Sequence, residues 1–241
     1  MENASENITF AAFPTIPNED YLDLIELFEY MVDLDELFGA IPATWREDGV
    51  EGFGNEVEAI FDKIINGGYY GYAYAEIYNT VSGEKHSNRP YSGLFVDQMA
   101  NRGILYPLFA ADDVHYYEKD GTSSAIIVSL PELTREGLIE AIRNRDFYAV
   151  SGGKDAPFLE VRDCGNTIHI ACSPVSEVNI FTNLAWAKNR HLVGEDITEA
   201  DYPCVIEGRP RQDRWIRVEV TDRDGRRAYS NLISKAEQIG E

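Results

Sequence analysis

The chain has 241 residues, 44% of them apolar, enough for one large core or two smaller ones. It carries 42 Asp and Glu against 21 Lys and Arg, a formal net charge of -21. Such a surface repels phosphate backbones and anionic lipid, so no nucleic-acid or membrane partner is expected. The three cysteines form no C-x-x-C, which argues against a disulfide framework or a zinc ribbon and suits a reducing cytoplasm. The first residues, "MENASENITF", lack a basic-then-apolar leader pattern, and no apolar run approaches the ~18 residues needed to span a bilayer. The sequence reads as soluble, unexported and cytoplasmic. Residues 1–130 hold 6 Lys and Arg against 23 Asp and Glu, whereas 131–241 hold 15 against 19, which suggests two units of different character.

"ITFAAFP" (8–14) is a continuous apolar run, as in a strand buried on both faces. "NEDYLDLIELFEYMVDLDELF" has helical apolar spacing with Asn18 as N-cap, and "NEVEAIFDKIINGG" reads as a second helix stopped by Gly67-Gly68. "YGYAYAEIYN" (70–79) is strand-prone, "LFVDQMANRG" reads as a helix ending at Gly103, and "ILYPLFAADD" is a further buried strand weakened by Pro107. This strand–helix alternation predicts parallel α/β architecture. "LTREGLIEAIRNRD" reads as a helix capped by Thr134. Beyond residue 150 the period becomes two. "FLEVRD", "TIHIACS", "EVNIFT", "YPCVIEG", "RWIRVEVTD" and "RRAYSNLIS" predict six short strands of an all-β sandwich.

Asp113-Val114-His115 closes the strand at 104–113. Residues i and i+2 share a side of an extended chain, so carboxylate and imidazole would converge on one ion, and the O/N pair suits zinc, manganese or iron. By itself the pattern fits an exposed loop histidine beside a capping aspartate better than it fits a ligand pair. Ser151-Gly152-Gly153-Lys154 lacks phosphate-loop spacing and reads as a turn. His169 falls on a predicted strand, and Trp186 and Trp215 suit core packing better than a sugar-binding face.

The stretch "AEIYNTVSGEKHSNRPYSGLFVDQMANRGILYPLFAADDVHYY" resembles the later part of the polymerase-and-histidinol-phosphatase (PHP) family of metal-dependent hydrolases. The likeness rests on Glu76-x-x-Asn79, Arg102-Gly103 and Asp112-Asp113-x-His115, and continues through "FYAVSGG" and "WIRVEVTDRDGRRAYSNLI". It implies a partial (β/α)7 PHP-like barrel over 1–130, a connecting helix over 131–150 and a β-sandwich over 151–241. It also implies a hydrolase that cleaves phosphate esters with water activated by a divalent zinc, manganese or iron ion. Carried over by position, Asp113 and His115 would be the metal-binding and catalytic pair. Asp112 would be a hydrogen-bonding neighbour rather than a ligand, and Glu76 and Asn79 would lie on a strand facing the same rim; Asp112 and Glu76 are the additional ligands the resemblance allows.

The departures are as specific. No His-x-His is present, and Ala12-Phe13-Pro14 stands where the family has Ala-His-Pro, so Phe13 offers no donor atom. The expected activity is therefore that of a PHP-type phosphoesterase, or its carboxyl-terminal portion, acting on a small phosphorylated substrate. The alternative is an inactive relative serving as a binding module. An incomplete barrel would leave strand edges open, for self-association or for pairing with an amino-terminal half-barrel chain.

Overall fold

The computed structural model describes residues 75–81, 90–114, 121–184, 190–204 and 213–235. All of them belong to the second of two units, Ala73–Glu241. The predicted elements between 8 and 68, with Phe13, lie outside the described residues, as do His86, His115 and Trp186.

One layer is a strand–helix–strand unit: β1 (Ala75–Asn79), α1 (Gly93–Asn101) and β2 (Leu108–Ala111), with β1 and β2 parallel. Val96, Met99 and Ala100 recur at helical spacing and are the buried face of α1. Pro107, which has no N–H to give a ladder, stands just ahead of β2, and its carbonyl accepts from Ala75 N at 2.9 Å. Gly93 is required at the start of α1, because a Cβ there would overlap the Tyr91 ring.

The other layer is an antiparallel sheet. Its strands are β3 (Ser124–Val128), β4 (Phe147–Ser151), β5 (Leu159–Asp163), β6 (Thr167–Thr182), β7 (His191–Pro203), β8 (Trp215–Thr221), β9 (Arg227–Tyr229) and β10 (Ile233–Ser234). The order is β3-β4-β9-β8-β6-β5, with β7 on β6 and β10 on β8. Between β3 and β4 lies α2 (Arg135–Asn144), where the Thr134 hydroxyl accepts from Gly137 N at 3.0 Å and Arg145, at φ 64°, turns the chain out of the helix.

The sixteen-residue β6 is the bend of the sheet. Its first half pairs with β5 and β7, its second half with β7 and β8, and the register shifts between Ala171 and Glu177. Each shift moves the buried phase: Ile168, Ile170 and Cys172 face the core, then Val175, then Val178 and Ile180. These side chains meet Ile216, Val218 and Val220 of β8, Ala228 of β9, and Val150 of β4 in one apolar cluster.

The described residues do not form the expected partial barrel. Strands make up 49% of the described residues, nearly all in antiparallel pairs, and β1–β2 is the sole parallel pair among them. Strand–helix–strand order does not fix strand direction: after α2 the chain returns antiparallel to β3. The boundary placed at residue 150 falls inside β4, which pairs with β3 on one side and β9 on the other, so the sheet runs across it. The separate strands predicted at "TIHIACS" and "EVNIFT" are one strand; of the strand predicted over "YPCVIEG", Tyr202 and Pro203 end β7, and 205–208 lie outside the described residues. No helix among the described residues is long and apolar enough to cross a membrane.

The layers are joined through polar contacts. On β8, Ile216, Val218 and Val220 enter the apolar core, while Trp215, Arg217 and Glu219 face α1. Asp97 accepts from Arg217 Nε at 2.6 Å and Nη2 at 2.9 Å, and Asn101 accepts from Trp215 Nε1 at 3.1 Å. Four residues of helix rise about 6 Å and two residues of strand about 6.7 Å, so both pairs close in one register. Arg217 Nη1 also bonds Glu219, Tyr91 OH donates to Glu219 Oε1, and the guanidinium lies 3.8 Å from the Phe181 ring centroid. Burial alone would lower the Arg217 pKa; Glu219, Tyr91 and Asp97 more than reverse it. A second staple is Asn231. It accepts from Leu108 N at 2.7 Å and donates to Phe147 O at 2.7 Å, tying β2 to β4.

Candidate functional site

The register of β1 against β2 shifts between Glu76 and Tyr78, leaving Ile77 as an extra residue. In a regular strand residues 76 and 79 point to opposite faces. The inserted residue reverses the phase and brings Glu76 and Asn79 to one side. Asn79 Nδ2 donates to Glu76 Oε2 at 3.0 Å and to Asp113 Oδ2 at 3.4 Å. One amide therefore bridges two carboxylates at the carboxyl end of the parallel pair, the edge where side chains of α/β units gather for chemistry. Burial raises the Glu76 pKa; the Asn79 bond works against this and the Asp113 charge reinforces it.

Asp112 faces elsewhere. Its Oδ1 accepts from Ser124 N at 2.7 Å, and both oxygens lie within 3.2 Å of Ser123 N. It fastens the end of β2 to the start of β3. Asp113 follows at φ 52°, in the left-handed region, so the chain is no longer extended there. The inference that residues 113 and 115 share a side rested on extended backbone and loses that support; His115 itself lies outside the described residues. Asp113 is solvent-exposed and Glu76 half-buried. Among the described residues, no group of three or more His, Cys, Asp or Glu side chains is placed to hold a metal ion.

The same end of the molecule carries a hydroxyl row that sequence reading did not single out. Ser124, Ser151, Arg227 and Thr221 are direct cross-strand neighbours on β3, β4, β9 and β8. Thr80, next to Asn79, meets Ser124 with 2.6 Å between hydroxyl oxygens, and Ser151 Oγ lies 3.1 Å from Tyr229 OH. Tyr229 stacks on Tyr78 with ring centroids 6.0 Å apart. The available signal was the spacing of Arg227 and Tyr229 around the apolar Ala228, which puts both on one face.

The other candidates resolve simply. Ser151 ends β4, and Gly152 and Gly153, at φ 108° and 80°, turn the chain. His169 pairs with Asp201 directly opposite on β7, Nδ1 to Oδ1 2.8 Å. Trp215 is buried. No protein-family model, curated protein or solved structure matches the chain.

Proposed function

We propose that the chain is a metal-dependent phosphoesterase of the PHP kind, or the carboxyl-terminal portion of one. The supporting observation is the bulge at Ile77, which brings Glu76 and Asn79 together with Asp113 at the end of the parallel pair. The donor types fit a hard or borderline divalent ion: two carboxylates that an amide now holds side by side, beside the Asp113-x-His115 motif. Asp113 and His115 would hold zinc, manganese or iron, which when bound supplies an acidified water and offsets charge on the phosphate. Asn79 sets the mutual orientation of the two carboxylates. Glu76, kept protonated to higher pH than an exposed glutamate, is suited to return a proton to the departing oxygen. Three free cysteines, two of them buried, accord with a reducing, cytoplasmic setting.

The test is metal analysis of the purified chain together with hydrolysis of an aryl phosphate. The expected result is retained stoichiometric metal, with turnover abolished in Asp113→Ala/His115→Ala. Turnover no different from that double variant overturns the proposal. Asp112→Asn serves as a contrast: it weakens the β2–β3 fastening, and hence stability, while leaving metal content unchanged. A second reading, a non-catalytic binding module, is favoured by the commitment of both Asp112 oxygens to backbone N–H groups and by Phe13 at a ligand position. It expects near-zero metal and a melting temperature that chelation does not move.

A further inference from the structure

Arg227 differs from the other arginines of the sheet. Arg162, Arg217, Arg223 and Arg226 each hold a carboxylate within ion-pair distance. Arg227 is half-buried, and no carboxylate lies within that distance of it among the described residues. The groups that act on it are Tyr229, Glu219 and Tyr78. A guanidinium has five N–H donors and no acceptor, so the hydrogen bond to the Tyr229 side chain leaves most of its donors for another partner in a site partly out of water. It does so in a chain with twice as many acids as bases, where a structural partner would have been easy to supply.

Its position is as telling as the absence of a carboxylate partner among the described residues. Arg227 stands directly across from Ser151 on one side and Thr221 on the other, and Ser151 stands across from Ser124. Directly paired residues of an antiparallel sheet share a face. That face is the one turned to β1, because Ser124 Oγ meets Thr80 Oγ1, one residue beyond Asn79. The guanidinium and the hydroxyl row thus lie at the end of the molecule where Glu76, Asn79 and Asp113 gather. Carboxylates at one place and a cation with hydroxyl donors beside it match a ligand that carries an anionic group and is worked on next to it.

We propose that Arg227, with the Ser151 and Tyr229 hydroxyls beside it, is the seat for the phosphate group of the ligand. The choice of phosphate over other oxyanions rests on the phosphoesterase reading, while the existence of an anion seat rests on Arg227 alone. A planar guanidinium suits two oxygens of a phosphate at once, which an ammonium does not.

The experiment is a calorimetric titration of the full chain with inorganic phosphate, in chelator and at fixed ionic strength, so that no metal carries the anion. Wild type is expected to show saturable one-site binding. Arg227→Gln is expected to weaken it at least tenfold, and Arg227→Lys to retain part of it. Arg223→Gln makes the same charge change at an exposed turn and is expected to bind as wild type does. Thermal melts of each variant establish that it is folded. Absence of saturable binding in wild type, or equal binding in Arg227→Gln, overturns the proposal. Loss of binding in Arg223→Gln as well would reduce the effect to net charge and overturn it too. The phosphoesterase reading can fail on metal content and turnover with this titration unaffected, so the two failures are distinguishable.

Discussion

Replacing Arg217 by methionine removes the cation that joins the two layers. The side chain is 1% exposed and engages Asp97 through two nitrogens, Glu219 through a third contact and Tyr91 through a fourth. Methionine fills similar volume, so the cost comes from what is stranded: Glu219 at 8% exposure loses its cation and is left with the Tyr91 hydroxyl, whereas Asp97 at 23% can recruit water. Breaking a buried ion pair from one side costs about 3–5 kcal/mol. With a urea slope of about 2 kcal/mol per molar, the unfolding midpoint should fall by roughly 1.5–2.5 M, followed by far-UV circular dichroism. Adding Glu219→Gln should recover at least about 1 kcal/mol, since an amide is cheaper to bury than an unpaired carboxylate. A shift below about 0.5 M in the same titration, or no recovery in the double variant, would show that water reaches this cluster and refute the reasoning.

Asn231→Leu should cost about 2–3 kcal/mol in the same assay, because Leu108 N and Phe147 O lose their partner; Asn231→Asp should do little better, having no donor for Phe147 O. Glu76 has its folded pKa raised above 4.5, so the stability it contributes is fully present below the unfolded value and lost as pH rises through the folded one. Glu76→Gln should accordingly be more stable than wild type at pH 7 in metal-free buffer, with the advantage gone near pH 4, as read by thermal melts. Burial pushes the Cys172 and Cys204 thiols up to about 11, while Cys164 is exposed. At pH 8 a thiol reagent should modify Cys164 alone until the protein unfolds, with mass spectrometry locating the adduct.

Local signals in the sequence were reliable where the backbone obeyed a single period. Thr134 caps α2, Gly103 follows α1 at φ 84°, and the turns at Gly165 and Gly225 have the left-handed backbone that glycine favours. Direction was not legible. The run "FYAV" is apolar on both faces, which ordinarily marks a parallel sheet; here it lies in an antiparallel sheet, covered on one face by the sheet's own core and on the other by the β1–α1–β2 layer. In "WIRVEV" the charges at Arg217 and Glu219 imitate a solvent face, although α1 lies over them. The long acidic β7 has few apolar residues to betray it, and the phase changes in β6 split one strand into two apparent ones. At the site, Asp113-x-His115 was visible as a motif, but the bulge that aligns Glu76 with Asn79 depends on pairing with β2 and leaves no mark in the local pattern.

The bonds between Asp97 and Arg217 span 120 positions of chain, and the one between Leu108 and Asn231 spans 123. At the ribosome's pace of about 5–20 residues per second, the β1–α1–β2 layer waits on the order of ten seconds for the strands that anchor it. During that interval Glu76, Asn79 and Asp113 already exist as polymer but have no platform beneath them. A premature stop ahead of codon 217 would remove both Arg217 and Asn231, and so disable an acidic rim encoded more than a hundred codons earlier.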